Sequence, residues 1–415
     1  MKILHVGKYF SPFSGGLENY MRDAMVALGR QGIESTALVH RHSFSVTTTD
    51  DVFNADGHSF HVVRTGLWAR LSFAPISPTF AWQLRRLIKS FKPDILHLHL
   101  PNASAFWALL LPSARRIPWV VHWHADVITS DQGVLMKLLY VLYKPFERAL
   151  LKRAQAIVAT SLPYRDSSKS LQPWINKCHV VPLGVDAKRF IPNGTLATGP
   201  DKSAVGESSS AAYDDQPDAH THKRARSQQS WPLLQVLAVG RLTYYKGFRY
   251  LIEAAAKASN IHINLVGQGD QEKELKALAT SLKVQDRVTF HGVLSDADLA
   301  QQMIQADCIC LPSIERTEAF GMVLLEAMYF GKATVISDVS GSGMGWIVDD
   351  GITGLKVTPA DAGALATAFE QLDTNRDELA AMGRRGKEKF NDQFEINHAI
   401  NKLIEVYQQM TPKRS

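Results

Sequence analysis

The feature that most constrains the fold of this chain is the alternation of short apolar strands with amphipathic helical segments. The chain opens with an apolar segment at 3–6, a loop rich in Gly, Ser and Pro at 9–16, and a helical pattern at 17–29. Strand, glycine loop and helix in this order form the unit from which parallel sheets are built. Because the alternation continues through both halves, we expect an α/β protein with two doubly wound, Rossmann-like domains.

The later predicted elements repeat the same alternation. In the first half, strands are predicted at 35–39, 61–64, 95–98, 119–122, 156–160 and 179–182, and helices at 79–91 and 136–153. In the second half, strands are predicted at 234–239, 263–266, 288–291, 308–311 and 334–337, and helices at 248–258, 270–282, 297–304 and 323–329. A chain of 415 residues also exceeds what one hydrophobic core usually serves, which favours two domains.

We therefore predict four parts along the chain: an N-terminal domain at 1–183, a linker at 184–231, a C-terminal domain at 232–388, and a final helix at 389–415 that packs back across the first domain. The linker contains a segment at 195–230 that is rich in Ser, Asp, Ala, Gly, Gln and His. Few large apolar residues interrupt it, so burial cannot offset its ordering entropy. We expect a disordered insertion that acts as a solvated spacer rather than as an interaction tail.

Charge is unevenly distributed along the chain. Residues 1–190 contain 23 Lys and Arg against 12 Asp and Glu, a balance of +11, so the remainder carries +6 − 11 = −5. A basic first half would attract an anionic membrane surface, a phosphorylated ligand or a nucleic acid. No segment reaches the roughly 18 apolar residues that a membrane-spanning helix needs, and the N-terminus shows no signal-peptide pattern. We expect a cytoplasmic protein, peripheral on the inner face of the membrane if it binds lipid.

Glycines and cations follow successive strands of the second half. Gly240 and Arg241 end the first of these strands, Lys246 precedes a helix start, and Gly267 opens the turn after the next strand. Ligands of parallel sheets bind outside the carboxyl ends of the strands, and a pyrophosphate there needs cations that reach both phosphoryl groups. A turn without a side chain also lets a nucleotide approach the backbone. These features predict a phosphate site.

Two carboxylates, Glu318 and Glu326, flank an apolar run that indicates the start of a helix. Glu326 follows Glu318 by about two turns, roughly 12 Å along a helix axis at 1.5 Å per residue. This distance suits the span from a hexose hydroxyl to a ribose, and the free N–H groups of a helix start can hold a phosphate. The alternative is a surface helix with ordinary acidic residues, but the neighbouring phosphate motifs favour a sugar-nucleotide site.

Together, these motifs resemble those of the retaining glycosyltransferases of family 4. The matching segments are Gly240-Arg241, Lys246-Gly247, Gly267-Gln-Gly269, Glu318-Ala-Phe-Gly with Glu326, Gly15-Gly-Leu-Glu-Asn and His122-Trp-His-Ala-Asp126. The resemblance covers almost the whole chain apart from the insertion. It implies the GT-B architecture, in which two Rossmann-like domains face each other across an active-site cleft.

The resemblance implies how the donor diphosphate is held. Arg241 and Lys246 would neutralise its charge. Phe320 and Gly321 would offer backbone N–H groups at a helix start. Gly16, in the first-domain loop, would close over the phosphates.

The resemblance also implies contacts with the sugars. Glu318 would bind hydroxyls of the transferred sugar, and Glu326 would bind the ribose. His124 would lie near the anomeric centre, with Asp126 shaping the acceptor side. His99 is left as a further acceptor contact.

No metal and no organic cofactor is expected. Departure of a diphosphate builds negative charge that prepositioned cations and amide dipoles can stabilise without a metal. The segment Asp296-Ala-Asp298 opens a predicted helix, so we interpret it as a cap rather than as a metal-binding pair. Two histidine pairs alternate along their strands, His97 with His99 and His122 with His124. No Cys or carboxylate accompanies them, so we interpret them as polar residues that line the cleft rather than as metal ligands.

The expected substrates also follow from the resemblance. It is greatest to bacterial surface-polysaccharide transferases that use GDP-mannose, so mannose is the first expected sugar and UDP-linked hexoses are the second. The expected reaction transfers a hexose, with retention, to a growing and lipid-linked saccharide. Basic residues beside large apolar ones at 68–92 and 135–153 favour peripheral contact with an anionic membrane. Alternatively, the apolar members belong to the core and the basic ones to a solvated face.

Other functional classes fit the sequence less well. A nucleotide-sugar epimerase or a sugar phosphorylase of the same fold would use the same site, but it would not transfer a sugar from a nucleotide to a saccharide acceptor. A nucleic-acid-binding protein would use the basic half, but the sequence has no base-stacking motif or recognition helix. An inactive interaction module would not need the cations and carboxylates of the second half.

Overall fold

A computed structural model describes residues 1–11, 15–71, 74–127, 134–190 and 233–410. The predicted insertion at 195–230 lies outside the described residues, so its disorder stays a prediction. Among the residues that the structure describes, no helix is both long and apolar enough to cross a lipid bilayer.

The first half of the chain builds a mostly parallel sheet. In chain order its strands are β1 Lys2–Val6, β2 Glu34–Phe44, β3 Thr49–Ala55, β4 His58–Leu67, β5 Ala69–Leu71, β6 Ala74–Ile76, β7 Ile95–Leu100, β8 Trp119–Trp123, β9 Ala156–Ala159 and β10 Cys178–Val180. Within the described ranges the sheet order is β10-β9-β8-β7-β1-β2-β4-β3, and β5 pairs with β6 in a separate hairpin. Neighbouring strands of the sheet are parallel except β3 and β4.

The second half builds a parallel sheet of its own. Its strands are β11 Leu234–Val239, β12 Ile261–Val266, β13 Val288–Gly292, β14 Cys308–Leu311, β15 Ala333–Ser337 and β16 Gly354–Val357. Their order in the sheet is β13-β12-β11-β14-β15-β16. This is the doubly wound order, and it reverses between β11 and β14, where such sheets bind ligands. The prediction of two doubly wound α/β sheets is confirmed.

Helices cover both faces of these sheets. They are α1 Gly16–Arg30, α2 Phe80–Phe91, α3 Trp107–Leu110, α4 Pro112–Arg115, α5 Val134–Arg153, α6 Leu162–Ser167, α7 Phe248–Lys257, α8 Glu272–Ser281, α9 Asp296–Gln305, α10 Met322–Tyr329, α11 Met344–Ile347, α12 Ala362–Thr374, α13 Arg376–Lys389 and α14 Ile396–Gln408. Because both sheet faces are covered, β7, β8, β14 and β15 are buried at every position. In α9 the N-cap is Ser295, and the two predicted capping aspartates occupy the first turn.

The C-terminal segment was predicted to be one helix at 389–415, but within the described residues it is divided. A π-helical turn at Phe390–Phe394 ends at Glu395, whose backbone leaves the helical region before α14 begins. The break lets the segment pair with Val185. The N–H of Val185 donates to the carbonyl of Phe394 at 3.1 Å, and the N–H of Ile396 donates to the carbonyl of Val185 at 3.2 Å. Beyond this point, α14 packs against α1 of the first half.

Candidate active site

The loops that follow β11 and β12 pack directly against each other. Gly240 follows β11 and Gly267 follows β12, as predicted. A Cβ atom on Gly267 would lie 2.0 Å from the carbonyl oxygen of Gly240, and one on Gly269 would lie 2.2 Å from that of Leu242. The glycine turn therefore serves loop-to-loop packing, a requirement that the sequence did not indicate. Its predicted contact with the nucleotide stays a prediction.

Gly247 fixes the position of the cation that precedes it. The 3₁₀ turn Tyr244–Lys246 leads into Gly247, which has φ 68° and is the N-cap of α7. A Cβ atom at Gly247 would lie 2.1 Å from the carbonyl oxygen of Pro312. The backbone beside Lys246 thus lies against the loop after β14. The loops that follow β11 and β14 are brought together at the point where the strand order reverses.

Lys246 forms an ion pair with Glu318, so the structure joins two of the predicted site residues directly. The hydroxyl of Ser313 also donates to Oε2 of Glu318 at 3.2 Å. Burial alone would lower the pKa of Lys246, but the adjacent Glu318 carboxylate outweighs it and the pKa is raised. The lysine therefore stays charged beside the carboxylate. Ser313 is a partner of the site that sequence reasoning missed.

A further cation approaches this region from the first half. Lys8 is the second residue after β1, and burial lowers the pKa of its ammonium to about 8. The Glu18 carboxylate opposes this shift, whereas the positive charges of Arg241 and Arg70 add to it. Arg241 is exposed, so the structure leaves it accessible to a ligand. Lys8 was not predicted, although its place after the first strand is the position where ligands of such sheets bind.

The start of α10 contacts the predicted glycine loop of the first half. Gly321 has φ 91° and is the N-cap of α10, and the preceding Phe320 is buried. A Cβ atom on Gly16 would lie 2.9 Å from Cγ of Met322. The structure therefore brings Gly16 next to the helix start whose amides were predicted to hold the donor.

Glu326 is held by a residue that sequence reasoning missed. Arg189, from the 3₁₀ turn Ala187–Phe190, forms an ion pair with Glu326 and donates from Nη1 to Asp23 of α1 at 3.3 Å. Burial raises the pKa of Glu326, and the guanidinium opposes the rise. Arg189 thus links helices of the two halves. The predicted role of Glu326 as a ribose ligand stays a prediction.

Asp126 is joined to the second half by Arg316. Its Oδ1 accepts from Trp123 Nε1 at 2.9 Å and from Ser168 Oγ at 2.6 Å. Its Oδ2 accepts from Arg316 Nη1 at 2.9 Å, and the guanidinium lies 4.6 Å from the centroid of the Tyr164 ring. Asp126 therefore belongs to an ion pair between the halves. Its predicted role on the acceptor side is not tested by this contact.

His124 and His99 lie inside the first half rather than on an open cleft wall. Both side chains are buried, and Nδ1 of His99 pairs with Nε2 of His124 at 2.9 Å. The ring of Tyr20 from α1 covers them, with its centroid 6.2 Å from that of His124. The interpretation of the paired histidines as polar residues that line the cleft stays a prediction; in this structure α1 and α14 cover this face of the sheet.

Two family models match the chain, one on each half. The model described as Glycosyl transferase 4-like domain matches residues 15–184, and the model described as Glycosyl transferases group 1 matches residues 222–389. The chain belongs to the GT-B glycosyltransferases. The first match contains Gly16, His99, His124 and Asp126, and the second contains the predicted phosphate motifs and both carboxylates.

Relatives of similar length resemble this transferase from end to end. It is 27% identical to O-antigen chain mannosyltransferase C of Escherichia coli over 419 residues, which covers 100% of both chains. It is also 27% identical to D-rhamnosyltransferase WbpZ of Pseudomonas aeruginosa over 395 residues, which covers 95% of this chain and 92% of that relative.

Solved structures share the fold of the transferase. Sucrose-phosphate synthase from Thermosynechococcus elongatus has a TM-score of 0.74 at 21% identity, and the alignment covers 99% of this chain and 98% of the synthase chain. Anabaena HepE in complex with UDP and glucose has a TM-score of 0.68 at 18% identity and covers 99% and 100%, respectively. At these identities the likeness shows the fold alone, and it confirms the predicted GT-B architecture.

Proposed function

We propose that this transferase moves a hexose from a nucleotide-diphosphate sugar to a growing, lipid-linked saccharide in bacterial surface-polysaccharide biosynthesis. Mannose from GDP-mannose is the first choice, and a UDP-linked hexose is the second. The observation that carries the proposal is the Lys246–Glu318 ion pair, which lies where the second sheet reverses its strand order. The names of the Escherichia coli mannosyltransferase and the Pseudomonas aeruginosa rhamnosyltransferase support the choice of sugar and pathway.

The ion pair suits a donor that has a charged half and a hydroxylated half. Negative charge develops on the diphosphate as its bond to the anomeric carbon breaks, and Arg241 and Lys246 would stabilise that charge. Glu318 can meanwhile accept hydrogen bonds from the hydroxyls of the departing sugar. One pair of adjacent side chains would thus orient both halves of the donor. Removing one such preorganised group typically lowers kcat by about 10²- to 10³-fold.

The proposed reaction proceeds with retention at the anomeric carbon. The acceptor oxygen attacks the same face from which the diphosphate leaves, and the leaving phosphate takes the acceptor proton. No covalent nucleophile and no metal is assigned to this step. Undiminished turnover in a chelator would support the metal-free assignment, and NMR of the product linkage would test retention.

A nucleotide-sugar panel provides the first test. A ligand that binds only the folded state at 100 times its Kd stabilises that state by about 2.7 kcal/mol, so the correct donor should raise the melting temperature measurably. We expect GDP-mannose to give the largest shift and UDP-linked hexoses the next. The absence of a shift with every nucleotide and nucleotide sugar would contradict the proposal.

Product analysis separates transfer from the other reactions of the same fold. Mass spectrometry of a lipid-linked saccharide incubated with the donor should show an added hexose. An epimerase would instead yield an altered nucleotide sugar without an acceptor. A phosphorylase would release a sugar phosphate and would require inorganic phosphate. Either result would replace the proposed reaction.

The lipid-linked acceptor is supported by an exposed apolar stripe on α5. Leu138, Val141, Leu142 and Phe146 follow one another at helical spacing and are all exposed. Three exposed cations flank the stripe, namely Lys137, Lys144 and Arg148. An apolar stripe with flanking cations is what an interfacial helix uses on anionic lipid. The alternative assignment of these apolar residues to the core is wrong for these four positions, because their side chains face solvent.

Liposome flotation tests the proposed membrane contact. We expect binding to vesicles that contain an anionic phospholipid and weaker binding to neutral vesicles or at high salt. Leu142→Ser with Phe146→Ser should release the protein from the vesicles. Ile352→Ser, at an exposed apolar position of the second half, is the matched control and should bind like the wild type. Equal binding by the α5 variant would contradict the assignment.

A further inference from the structure

An open pocket lined by amide side chains lies on the second half, between α9 and the strands β11, β12 and β13. Its volume is about 300 Å³, at the lower end of the range of about 300–1,000 Å³ for small-molecule sites. Four amides and one imidazole line this amide pocket together with Ala306: Gln235, Asn264, His291, Gln302 and Gln305. All five polar side chains belong to partly or fully exposed residues, so a ligand can reach them from solvent.

The pleat of β12 explains why a polar wall lies beside an apolar core. Successive residues of a strand point to opposite faces, so Asn264 faces the amide pocket while Ile263 and Leu265 are buried on the other face. Within the described ranges β13 is an edge of its sheet, so no further strand closes the pocket on that side. The pocket therefore stays accessible although it lies on a sheet.

Three of the lining side chains form one directional chain of hydrogen bonds. A backbone carbonyl can only accept, so Nε2 of Gln235 donates to the carbonyl of Leu233 at 3.0 Å. Oε1 of Gln235 then accepts from Nδ2 of Asn264 at 3.2 Å, and Oδ1 of Asn264 accepts from Nε2 of His291 at 2.9 Å. The carbonyl of Leu233 thus fixes the direction of every bond in the chain.

The chain leaves hydrogen-bonding groups unused at the pocket wall. An amide has two N–H donors and two oxygen lone pairs, so Gln235 and Asn264 each retain a donor and an acceptor. In neutral His291 the proton is on Nε2, which makes Nδ1 an acceptor. Gln302 and Gln305 form no side-chain hydrogen bond with any other residue that the structure describes. Donors and acceptors without charge therefore lie side by side in the pocket.

Such a pocket suits a neutral ligand with several hydroxyl groups. A hydroxyl group both donates and accepts, so it can pair with an amide N–H and an amide oxygen at once. No charged side chain lines the pocket to attract a phosphate or a metal ion. An apolar ligand would cover the amides without pairing them, which costs free energy. A saccharide, which carries hydroxyl groups on adjacent carbons, meets these conditions.

The amide pocket is distinct from the predicted phosphate site. Gln235 is the second residue of β11, whereas Gly240 follows the last residue of that strand. The separation of five residues corresponds to about 16 Å at roughly 3.3 Å per residue. On the other side of the pocket, His291 directly precedes Gly292, whose carbonyl accepts from the N–H of Gly267. The pocket thus begins near the glycine turn of the candidate site and extends away from it.

We propose that the amide pocket is an accessory binding site for a neutral saccharide. Its ligand is a segment of the growing saccharide that lies away from the reacting end, an identification that rests on the proposed function. Binding of one segment raises the effective concentration of the reacting end at the candidate active site, because the second contact becomes intramolecular. The chemical step itself does not require the pocket.

NMR of the full chain with ¹⁵N-labelled glutamine tests the pocket without any donor. Trisaccharides of mannose, glucose and galactose are added in turn, and at least one should shift the side-chain amide signals of Gln302 and Gln305. Gln302→Ala should weaken binding of that trisaccharide, measured at Gln305, by about 2- to 10-fold, because a neutral hydrogen bond is lost. Gln301→Ala is the matched control, since it removes the adjacent glutamine of α9, which is exposed but does not line the pocket. The control should bind like the wild type.

Three results would overturn the inference. The first is that no trisaccharide shifts the signals of Gln302 and Gln305 in the wild type. The second is equal weakening of binding by Gln301→Ala and Gln302→Ala. The third is a larger shift with guanosine or inorganic phosphate than with every trisaccharide, which would indicate a nucleoside or anion site. Thermal unfolding verifies that both variants are folded, and the wild-type titration decides the inference if either is not.

Kinetics then connect the pocket to sugar transfer. Gln302→Ala should raise the KM for a long lipid-linked acceptor at least twofold and leave kcat and the KM for a short acceptor unchanged. Gln301→Ala should match the wild type with both acceptors. If the wild type transfers no sugar from any donor, the proposed function fails, and the NMR titration still decides the pocket. If the wild type is active and Gln302→Ala retains its KM for the long acceptor, the accessory role is contradicted.

Discussion

Nη1 of Arg316 lies 2.9 Å from Oδ2 of Asp126, and this ion pair joins the segment after β8 to the loop before α10. The two residues are 190 positions apart in the sequence. Asp126 is fixed at its other oxygen by Trp123 and Ser168, so Arg316 meets a carboxylate that is already oriented. The contact connects the loop that carries Asp126 to the loop that carries Glu318, the two residues predicted for the acceptor side and for the donor sugar.

A double-mutant cycle on Asp126 and Arg316 should reveal a coupling of about 1.5–3 kcal/mol, the range of hydrogen bonds to charged groups. Asp126→Asn, Arg316→Gln and the double variant would be compared by urea unfolding. Arg249 and Glu253 form an exposed helical pair and serve as the control cycle, with an expected coupling of about 0.3–0.5 kcal/mol. Equal coupling in both cycles would contradict the linking role of Arg316.

Lys246→Ala should lower kcat/KM for sugar transfer by about 10²- to 10³-fold, because the donor diphosphate loses a preorganised cation. Lys276→Ala, which removes a lysine from an exposed helical ion pair, should leave the rate unchanged. Arg241→Ala combined with Lys246→Ala should abolish turnover. Steady-state assays with the donor identified by thermal shift provide the measurement. Normal transfer by the double variant would refute the phosphate assignment.

Gly247→Ala should destabilise the protein more than Gly351→Ala. Both glycines have nearly the same backbone conformation, with φ 68° and φ 70°, so the left-handed penalty of about 1–2 kcal/mol applies to both. Only at Gly247 would the new Cβ meet a backbone oxygen, that of Pro312, whereas Gly351 faces open space. Overpacking typically costs about 1–3 kcal/mol more. Urea denaturation measures the loss of unfolding free energy in each variant. Equal losses would show that the loop after β14 shifts to accommodate the new Cβ atom.

Glu147→Gln should change how stability depends on pH. Burial raises the pKa of the Glu147 carboxyl from 4.5 to about 7, and its Oε1 accepts from Ser170. The folded state binds the proton of Glu147 more tightly than the unfolded state, so protonation of this carboxyl contributes fully to the free energy of unfolding below pH 4.5. This contribution to stability is lost progressively as the pH rises to about 7, and the loss is about 3 kcal/mol at most. Glutamine cannot ionise and should remove this slope, measured by unfolding between pH 4 and 8.

The alternation of apolar strands and helices predicted both sheets because it depends on local patterns. β3 was missed because it is the antiparallel edge of its sheet and has no fully buried position. β16 was missed because it has only four residues and begins at Gly354. The tail was predicted as one helix because its apolar residues recur at helical spacing. This spacing gives no sign of the bridge between Glu395 and Val185, a contact across more than 200 residues.

Residues of the candidate site could be selected from the sequence where they follow strands or open helices. Lys246 and Glu318 were selected from separate motifs, and the structure joins them in an ion pair. Arg189 was not selected, because no local pattern links it to Glu326, 137 residues later.

The position of α14 has a consequence for the order in which the polypeptide acquires its structure. Tyr407 contacts His97 of the first sheet, and α14 packs against α1. During synthesis, residues 1–190 leave the ribosome long before this last helix exists. The surface of the first half that α14 covers therefore stays exposed until nearly all of the remaining chain has been translated. A ribosome-bound fragment that stops before α14 should therefore be more sensitive to protease around α1 than the released full-length chain.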